Sequence, residues 1–425
     1  MKAVAESLSS RSAVKRPNNF ALSFYWFAWE MHWAALLGAT LQADIARFMP
    51  PTFYGRASAI LGGFGALVAI VTQYGAGRAS DITRRRTPFI IAGTLLDIIA
   101  LFAFARAPSF FAAVISFAAV NIALNIAGGP YQALIPDRVD KGAQGRASAY
   151  MGFMRLAGTV LGLLLAKIFV HQPGPGVTTA TIEQGLTLLV AAISAVLVAA
   201  LAVTVFGVKE RTGDVAAPQP VLAHWESRTS FWWLIVQRSF VSCGLYSILP
   251  FLAFYLRFAL HVRDFINTSL TMLLVMVGCS LAGTVPAGII GDRMPKKSII
   301  YIALSLVAFG AVVLVFLTKL TPVFAVSVVI GIGWGAYYSV DWALATNLLP
   351  PGRAGALMAI WNLGTSAPQV AAPIIGGLLV DKLGAATGDF GFAYRTLFAL
   401  VATFVVLGAV ALSFVREPRR EPLKE

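Results

Sequence analysis

Six ionisable side chains sit well inside stretches of this chain that are otherwise apolar: Glu30, His32, Asp97, Arg155, Arg238 and Asp341. A charge held in the middle of an apolar layer costs roughly 2.5 kcal/mol or more, so each needs a partner, a cavity or a proton. A carboxyl in such surroundings can take up and release a proton near neutral pH. Glu30, Asp97 and Asp341 are therefore the candidate proton-coupling groups. Arg155 would compete with a proton for Glu30, either as a coupling device or as a permanent structural ion pair. Asp341 can pair with Arg238 or help form an inner gate, and Asp97 can equally serve packing. His32 points to a different helix face from Glu30 and reads as a packed side chain.

Around these charges lies a vocabulary suited to a hydroxyl-rich solute. Sugars offer C–H faces to aromatic rings and hydroxyls to groups that donate and accept hydrogen bonds. Trp29, Asn121, Asn125, Gln132, Arg155, Gln237, Arg238, Trp361 and Asn362 are the substrate-binding candidates, with Trp26, Trp33, Tyr246, Trp334 and Gln369 as further aromatic and amide groups. Trp232 and Trp233 read instead as anchors at a membrane interface.

The elements that must position these groups follow from composition. Hydrophobic residues make up 58% of the 425, charged residues 12%, and mean hydropathy is +0.77, whereas a soluble domain is about a quarter charged. Twelve apolar stretches, from 20–43 to 393–415, have the length of about 20 residues that a helix needs to cross a bilayer. The fold class expected is all-α and polytopic, with twelve transmembrane helices in two pseudo-symmetric six-helix bundles. Glu30 lies ten residues into the first stretch, about 15 Å along a helix and so near the midplane. The first stretch has no small-residue cleavage site and reads as an uncleaved helix. Cys243 and Cys279 lie inside apolar runs and offer no disulfide framework or metal spacing.

The net charge of +14 is a topology signal: 22 of the 33 Lys and Arg fall in the tails and alternate loops, which places both termini in the cytoplasm. It gives no nucleic-acid face. A basic loop, Gly77 to Arg86, contains Asp81 and the pair Arg85-Arg86. The same order returns 211 residues later in Gly288, Asp292, Lys296 and Lys297. A second echo sets Arg146 against Arg353, and the two together indicate an internal duplication. The expected halves are 1–208 and 230–425, joined by a polar linker over 209–229. Walker, G-x-S-x-G and metal-site spacings are absent, so neither enzyme chemistry nor a cofactor is expected.

Gly77, Asp81, Arg85 and Arg86 resemble the loop signature of the major facilitator superfamily. The run Arg84-Arg85-Arg86-Thr87-Pro88-Phe89-Ile90-Ile91-Ala92-Gly93 is similar to that of the sucrose/proton symporters and their glycoside-pentoside-hexuronide relatives. Gly129-Pro130-Tyr131-Gln132-Ala133-Leu134 with Asp137, and Arg146 to Tyr150 with Gly158 and Gly162, resemble the same group, so the likeness covers about residues 77–162. The resemblance implies a secondary transporter that imports a neutral glycoside, sucrose or another disaccharide, with a proton as coupling ion. It also implies a cytoplasmic latch formed by Gly77, Asp81, Arg85, Arg86, Asp137, Arg146, Gly288, Asp292, Lys296 and Lys297.

One departure stands out. Asn121 occupies the position where the plant sucrose symporters carry their proton-accepting aspartate, and an asparagine cannot titrate. A facilitative or sodium-coupled sugar carrier, an exporter of a hydrophobic or cationic compound, and a receptor on a transporter-like fold are the competing readings. The expected partners are the small-molecule substrate and the lipid bilayer, and the expected setting is a monomer in a bacterial inner membrane.

Overall fold

A computed structural model describes residues 18–83, 85–138, 144–174, 176–208, 225, 227–291, 294–349 and 354–417, the side chains at 19, 66, 81, 133, 135–138, 144–149, 354–356, 358–359 and 362 aside. The described chain is all-helical. α1 runs through Asn19–Ala35, a π-helical turn at Leu36–Thr40, and Leu41–Phe48. α2 comprises Tyr54–Ala59, a second π-turn at Ile60–Phe64, and Gly65–Thr83. Then come α3 (Thr87–Ala105), α4 (Phe110–Arg138), α5 (Gln144–Phe169) and α6 (Thr179–Gly207). The later six are α7 (Arg228–Ile248 and Leu252–Ala259), α8 (Phe265–Gly291), α9 (Lys296–Phe316), α10 (Leu320–Asn347), α11 (Ala354–Thr387) and α12 (Phe390–Ser413).

Among the described residues ten helices are long and apolar enough to cross a membrane, or eleven when the two pieces of α7, bent by 52°, count as one. The bend falls at Pro250, which cannot donate to the helix ladder. α1 completes a twelve-helix plan; its π-turn is occupied by the Thr40 hydroxyl, which donates to the Ala35 carbonyl at 2.8 Å.

Local chemistry sets the ends of several helices. The Asn18 side chain accepts from the Phe20 N–H at 3.0 Å, Thr178 from Thr181 at 3.1 Å, and Asp389 from Phe392 at 3.0 Å, each satisfying a donor that has no partner within its helix. Pro88 sits in the first turn of α3, where its missing N–H costs nothing.

The basic stretch departs from the loop expected of it. The stretch Gly77 to Arg86 is not a loop throughout, because α2 continues to Thr83 and α8 likewise continues through Gly288 to Gly291. Nothing in Gly77–Thr83 breaks a helix, and the hydroxyls of Ser80 and Thr83 fold back on the Gly77 and Ala79 carbonyls at 2.7 and 3.0 Å. Both helices therefore project beyond their apolar cores.

Packing depends on close backbone approach. A Cβ at Gly158 or Gly162 of α5 would strike the carbonyl oxygen of Phe27 or Met31 on α1. At Gly283 and Gly335 it would strike the Ile332 and Ser280 carbonyls where α8 meets α10. Apolar side chains gain little by leaving lipid for protein, so these dispersion contacts carry much of the association.

Candidate functional site

The contact between α1 and α5 decides the first feature. Glu30 lies one turn beyond Phe27 and Arg155 one turn before Gly158, so the glycine-mediated approach brings the two side chains together. Arg155 donates through Nε to Glu30 Oε1 at 2.6 Å, with Nη2 also 2.6 Å from that oxygen. The guanidinium stands 4.9 Å from the Trp26 ring centroid. Although Arg155 is eleven residues along α5, about 17 Å from its start, its side chain is 48% exposed and that of Glu30 21%. Solvent space therefore reaches deep into the bundle.

A second ion pair belongs to the later six helices. Arg238 on α7 donates through Nη1 to Asp341 Oδ2 on α10 at 2.5 Å and through Nε to Thr365 Oγ1 on α11 at 2.8 Å. Its guanidinium carbon lies over Trp361, 3.6 Å from the ring centroid. In contrast to the first pair it is sealed, the two side chains being 7% and 0% exposed. Three helices are tied by one planar cation, a geometry that the five fixed donors of arginine allow.

A third cluster joins α1 to α3. His32 Nε2 is 3.5 Å from Asp97 Oδ2, both are fully buried, and none of the four ring-nitrogen and carboxylate-oxygen atoms makes a hydrogen bond among the described residues. One to two turns away in the same contact, Tyr25 and Thr94 share a hydrogen bond of 2.6 Å. His32 is thus packed as its helix face suggested, but against a carboxylate that the sequence reading had not joined to it.

Between the first and second pairs stand Tyr246 and Tyr338, close enough to Arg155 and Glu30 to feel their charges. Gln369 donates to the Tyr246 hydroxyl at 2.7 Å. Around the open space are therefore an ion pair from the first six helices with a buried indole behind it, and two phenols and an amide from the last six.

Other candidates lie elsewhere. The amide N–H groups of Asn121 and Asn125 turn back to the Phe117 and Asn121 carbonyls, each at 2.9 Å, and both side chains are buried. Trp29 packs its ring onto Gly128 of α4. Gln237 is buried with Tyr337, 3.4 Å from its hydroxyl, and Gln132 is half-buried. The side chain of Asn362 lies outside the described residues.

The proposed latch divides. The side chains of Asp81, Asp137 and Arg146, and all of Asp292, lie outside the described residues. Arg86 turns inward, buried, with Nη1 donating to Ser80 Oγ at 2.5 Å; Arg85 beside it is exposed. Gly77 has open space at its Cβ position, and Gly288 faces the Ser339 hydroxyl. Lys296 and Lys297 engage the segment that follows α12. Their backbone N–H groups donate to Glu417 at 3.0 and 3.3 Å, and the Lys297 ammonium donates to the Val415 carbonyl at 2.6 Å. A carboxylate thus caps the start of α9 while a cation caps the end of α12, the pairing that both helix dipoles favour.

At the end opposite the termini, the first six and last six helices meet. Arg56 Nε on α2 is 3.0 Å from Asp381 Oδ2 on α11, and Arg257 donates to the Tyr54 hydroxyl at 3.0 Å. Lys167 donates to Thr271 at 2.7 Å. The Gln172 amide both donates to the Arg263 carbonyl at 2.8 Å and accepts from the Ile266 N–H at 3.3 Å. From sequence alone, Arg56, Arg257, Lys167, Asp381 and Gln172 have no assigned site role. The faint signal was Gly376-Gly377 followed one turn later by an aspartate in an apolar run. These contacts bridge the two halves at the end opposite the termini, while Arg155 stays exposed at depth.

The family model described as Major Facilitator Superfamily matches residues 18–365. Among solved structures, the chain is similar to a bacterial homologue of the human lysosomal transporter Spinster in an inward-facing, unoccupied conformation, at 16% identity, TM-score 0.72, covering 93% of this chain and 95% of that one. It is similar to a D-xylose-proton symporter at 15% identity and TM-score 0.73, covering 94% and 97%. It also resembles the nucleoside transporter NupG at 11% identity and TM-score 0.66, covering 93% and 98%. At these identities the likeness is one of fold. No curated protein sequence matches.

Proposed function

Because this chain belongs to the Major Facilitator Superfamily, we propose that it is a secondary active transporter importing a neutral glycoside, sucrose or another disaccharide, together with a proton, by alternating access. The observation that carries the reading is a contrast in access: the Glu30–Arg155 ion pair is open to solvent at depth, whereas the Arg238–Asp341 ion pair and the His32–Asp97 contact are sealed. Only an accessible pair can exchange its partner for a proton or a substrate without unfolding its surroundings.

In this mechanism a proton on Glu30 removes the carboxylate that holds Arg155. The freed guanidinium then donates to substrate hydroxyls, while the Trp26 ring offers an apolar face and Tyr246, Tyr338 and Gln369 close around the solute from the other half. Loss of substrate and proton restores the ion pair, which neutralises the empty site. The halves 1–208 and 230–425 rock against each other around this site. With both termini in the cytoplasm, the arrangement described above is the inward-facing state.

The test is uptake of labelled sucrose and other disaccharides into proteoliposomes with and without an imposed pH gradient, alongside counterflow. Accumulation driven by inward acid-to-neutral proton flow supports the proposal. Counterflow without response to the pH gradient would leave a facilitative or sodium-coupled carrier, decided by adding a sodium gradient. Absence of counterflow for every sugar, with outward transport of a lipophilic cation, would replace the substrate class.

A further inference from the structure

A groove of about 700 Å³ lies at the termini end of the first six helices, floored by Ile91, Ala92 and Leu95 of α3 and by Val205 and Val208 at the end of α6, with Arg85 at its rim. We propose that this groove binds one acyl chain of an anionic phospholipid whose phosphate pairs with Arg85.

The orientation of α3 carries the first part. Its Thr94 and Asp97 face α1, and Gly93 is pressed against Ala127 of α4. The opposite stripe of Ala92, Leu95 and Ile99 is exposed, Leu95 by 50% and Ile99 by 67%. Apolar side chains on the outer face of a spanning helix meet lipid tails, so the groove's occupant is drawn from the bilayer. From Thr87 to Leu95 the helix rises about 12 Å, close to the depth of one leaflet of a core about 30 Å thick. The groove therefore runs along an acyl chain from head-group level inward.

Charge decides which lipid. Arg85 and Arg86 are adjacent yet meet opposite fates: Arg86 is buried against Ser80, whereas Arg85 is exposed and makes no ion pair among the described residues. A guanidinium at the mouth of an apolar slot, on the side the basic loops assign to the cytoplasm, matches a phosphate bearing no compensating cation. A zwitterionic head group brings its own ammonium and loses that advantage. The site is separate from the central cavity and does not depend on what the cavity carries.

The experiment is thermal unfolding of the full-length purified protein in detergent, titrated with phosphatidylglycerol or phosphatidylcholine of identical acyl chains. Phosphatidylglycerol is expected to raise the unfolding temperature by several degrees more than phosphatidylcholine. Arg85→Gln should reduce that difference to nearly nothing, and Ala92→Trp, which fills the slot, should weaken the response to both lipids. Native mass spectrometry of the same samples should show one retained phosphatidylglycerol that Arg85→Gln loses. Equal responses of the wild type to the two lipids, an undiminished difference in Arg85→Gln, or the same shift from inorganic phosphate alone would each overturn the proposal.

Discussion

Asp381 of α11 and Arg56 of α2 form a bridge across the closed end, with Arg56 Nε 3.0 Å from Asp381 Oδ2. The carboxylate also lies directly against Gly55, where a Cβ would collide with it. Gly55 and Arg56 are in the first turn of α2, so an aspartate from the other half packs directly against that turn. Closure at this end is thereby coupled to the start of α2.

Asp381→Asn should loosen that end. Because Arg56 is largely exposed, the loss is about 1 kcal/mol rather than the value of a buried pair, which shifts the closed-to-open ratio about fivefold. Maleimide labelling of Ser58→Cys, a buried position nearby, in a Cys243→Ser, Cys279→Ser background should accelerate by that factor. An unchanged labelling rate would remove the bridge from the gate.

Glu30→Gln should abolish accumulation driven by a pH gradient while leaving exchange of substrate intact, since the amide keeps the shape but cannot carry a proton. Its effect on stability should be small, about 0–1 kcal/mol for a solvent-accessible pair. Concentrative uptake that survives the substitution would move the proton carrier elsewhere.

Asp341→Asn is expected to behave in the opposite way. It leaves the Arg238 guanidinium buried without its counter-charge, at a cost of about 3–5 kcal/mol, visible as a large fall in unfolding temperature in detergent. The paired change Arg238→Met with Asp341→Leu should recover most of the loss. A similar fall for Glu30→Gln and Asp341→Asn would contradict the contrast between an open and a sealed pair.

Gly162→Val should separate α1 from α5, because the new side chain meets the Met31 carbonyl, which cannot move without the helix. An overpacked contact costs about 1–3 kcal/mol. Both stability and gradient-driven uptake should fall, since the same approach joins Glu30 to Arg155. Retention of normal uptake with a normal unfolding temperature would show that the helices can part without loss.

Glu417→Gln should weaken the joint between α9 and α12 by about 1 kcal/mol, the worth of a lost cap with its dipole interaction. Scanning thermal unfolding together with proteolysis at the C-terminal end reads it: a lower unfolding temperature and faster trimming are expected.

By itself the sequence determined the helical plan, because crossing a bilayer demands about 20 apolar residues at a time and twelve such stretches are written into it. It also marked Glu30, Arg155, Arg238 and Asp341, since charges are rare and costly at that depth, and suggested their pairing. What it could not decide was access. Two ion pairs with the same chemistry differ in whether solvent reaches them, and that depends on how twelve helices stack around a space that no local pattern encodes. The approach of His32 to Asp97, 65 residues apart, the bridge from Arg56 to Asp381, and the engagement of Lys297 with the end of α12 likewise arise from contacts between distant segments. Adjacent Arg85 and Arg86 show the limit most plainly: identical side chains in one motif point to opposite environments, because the end of one helix and the start of the next set their directions.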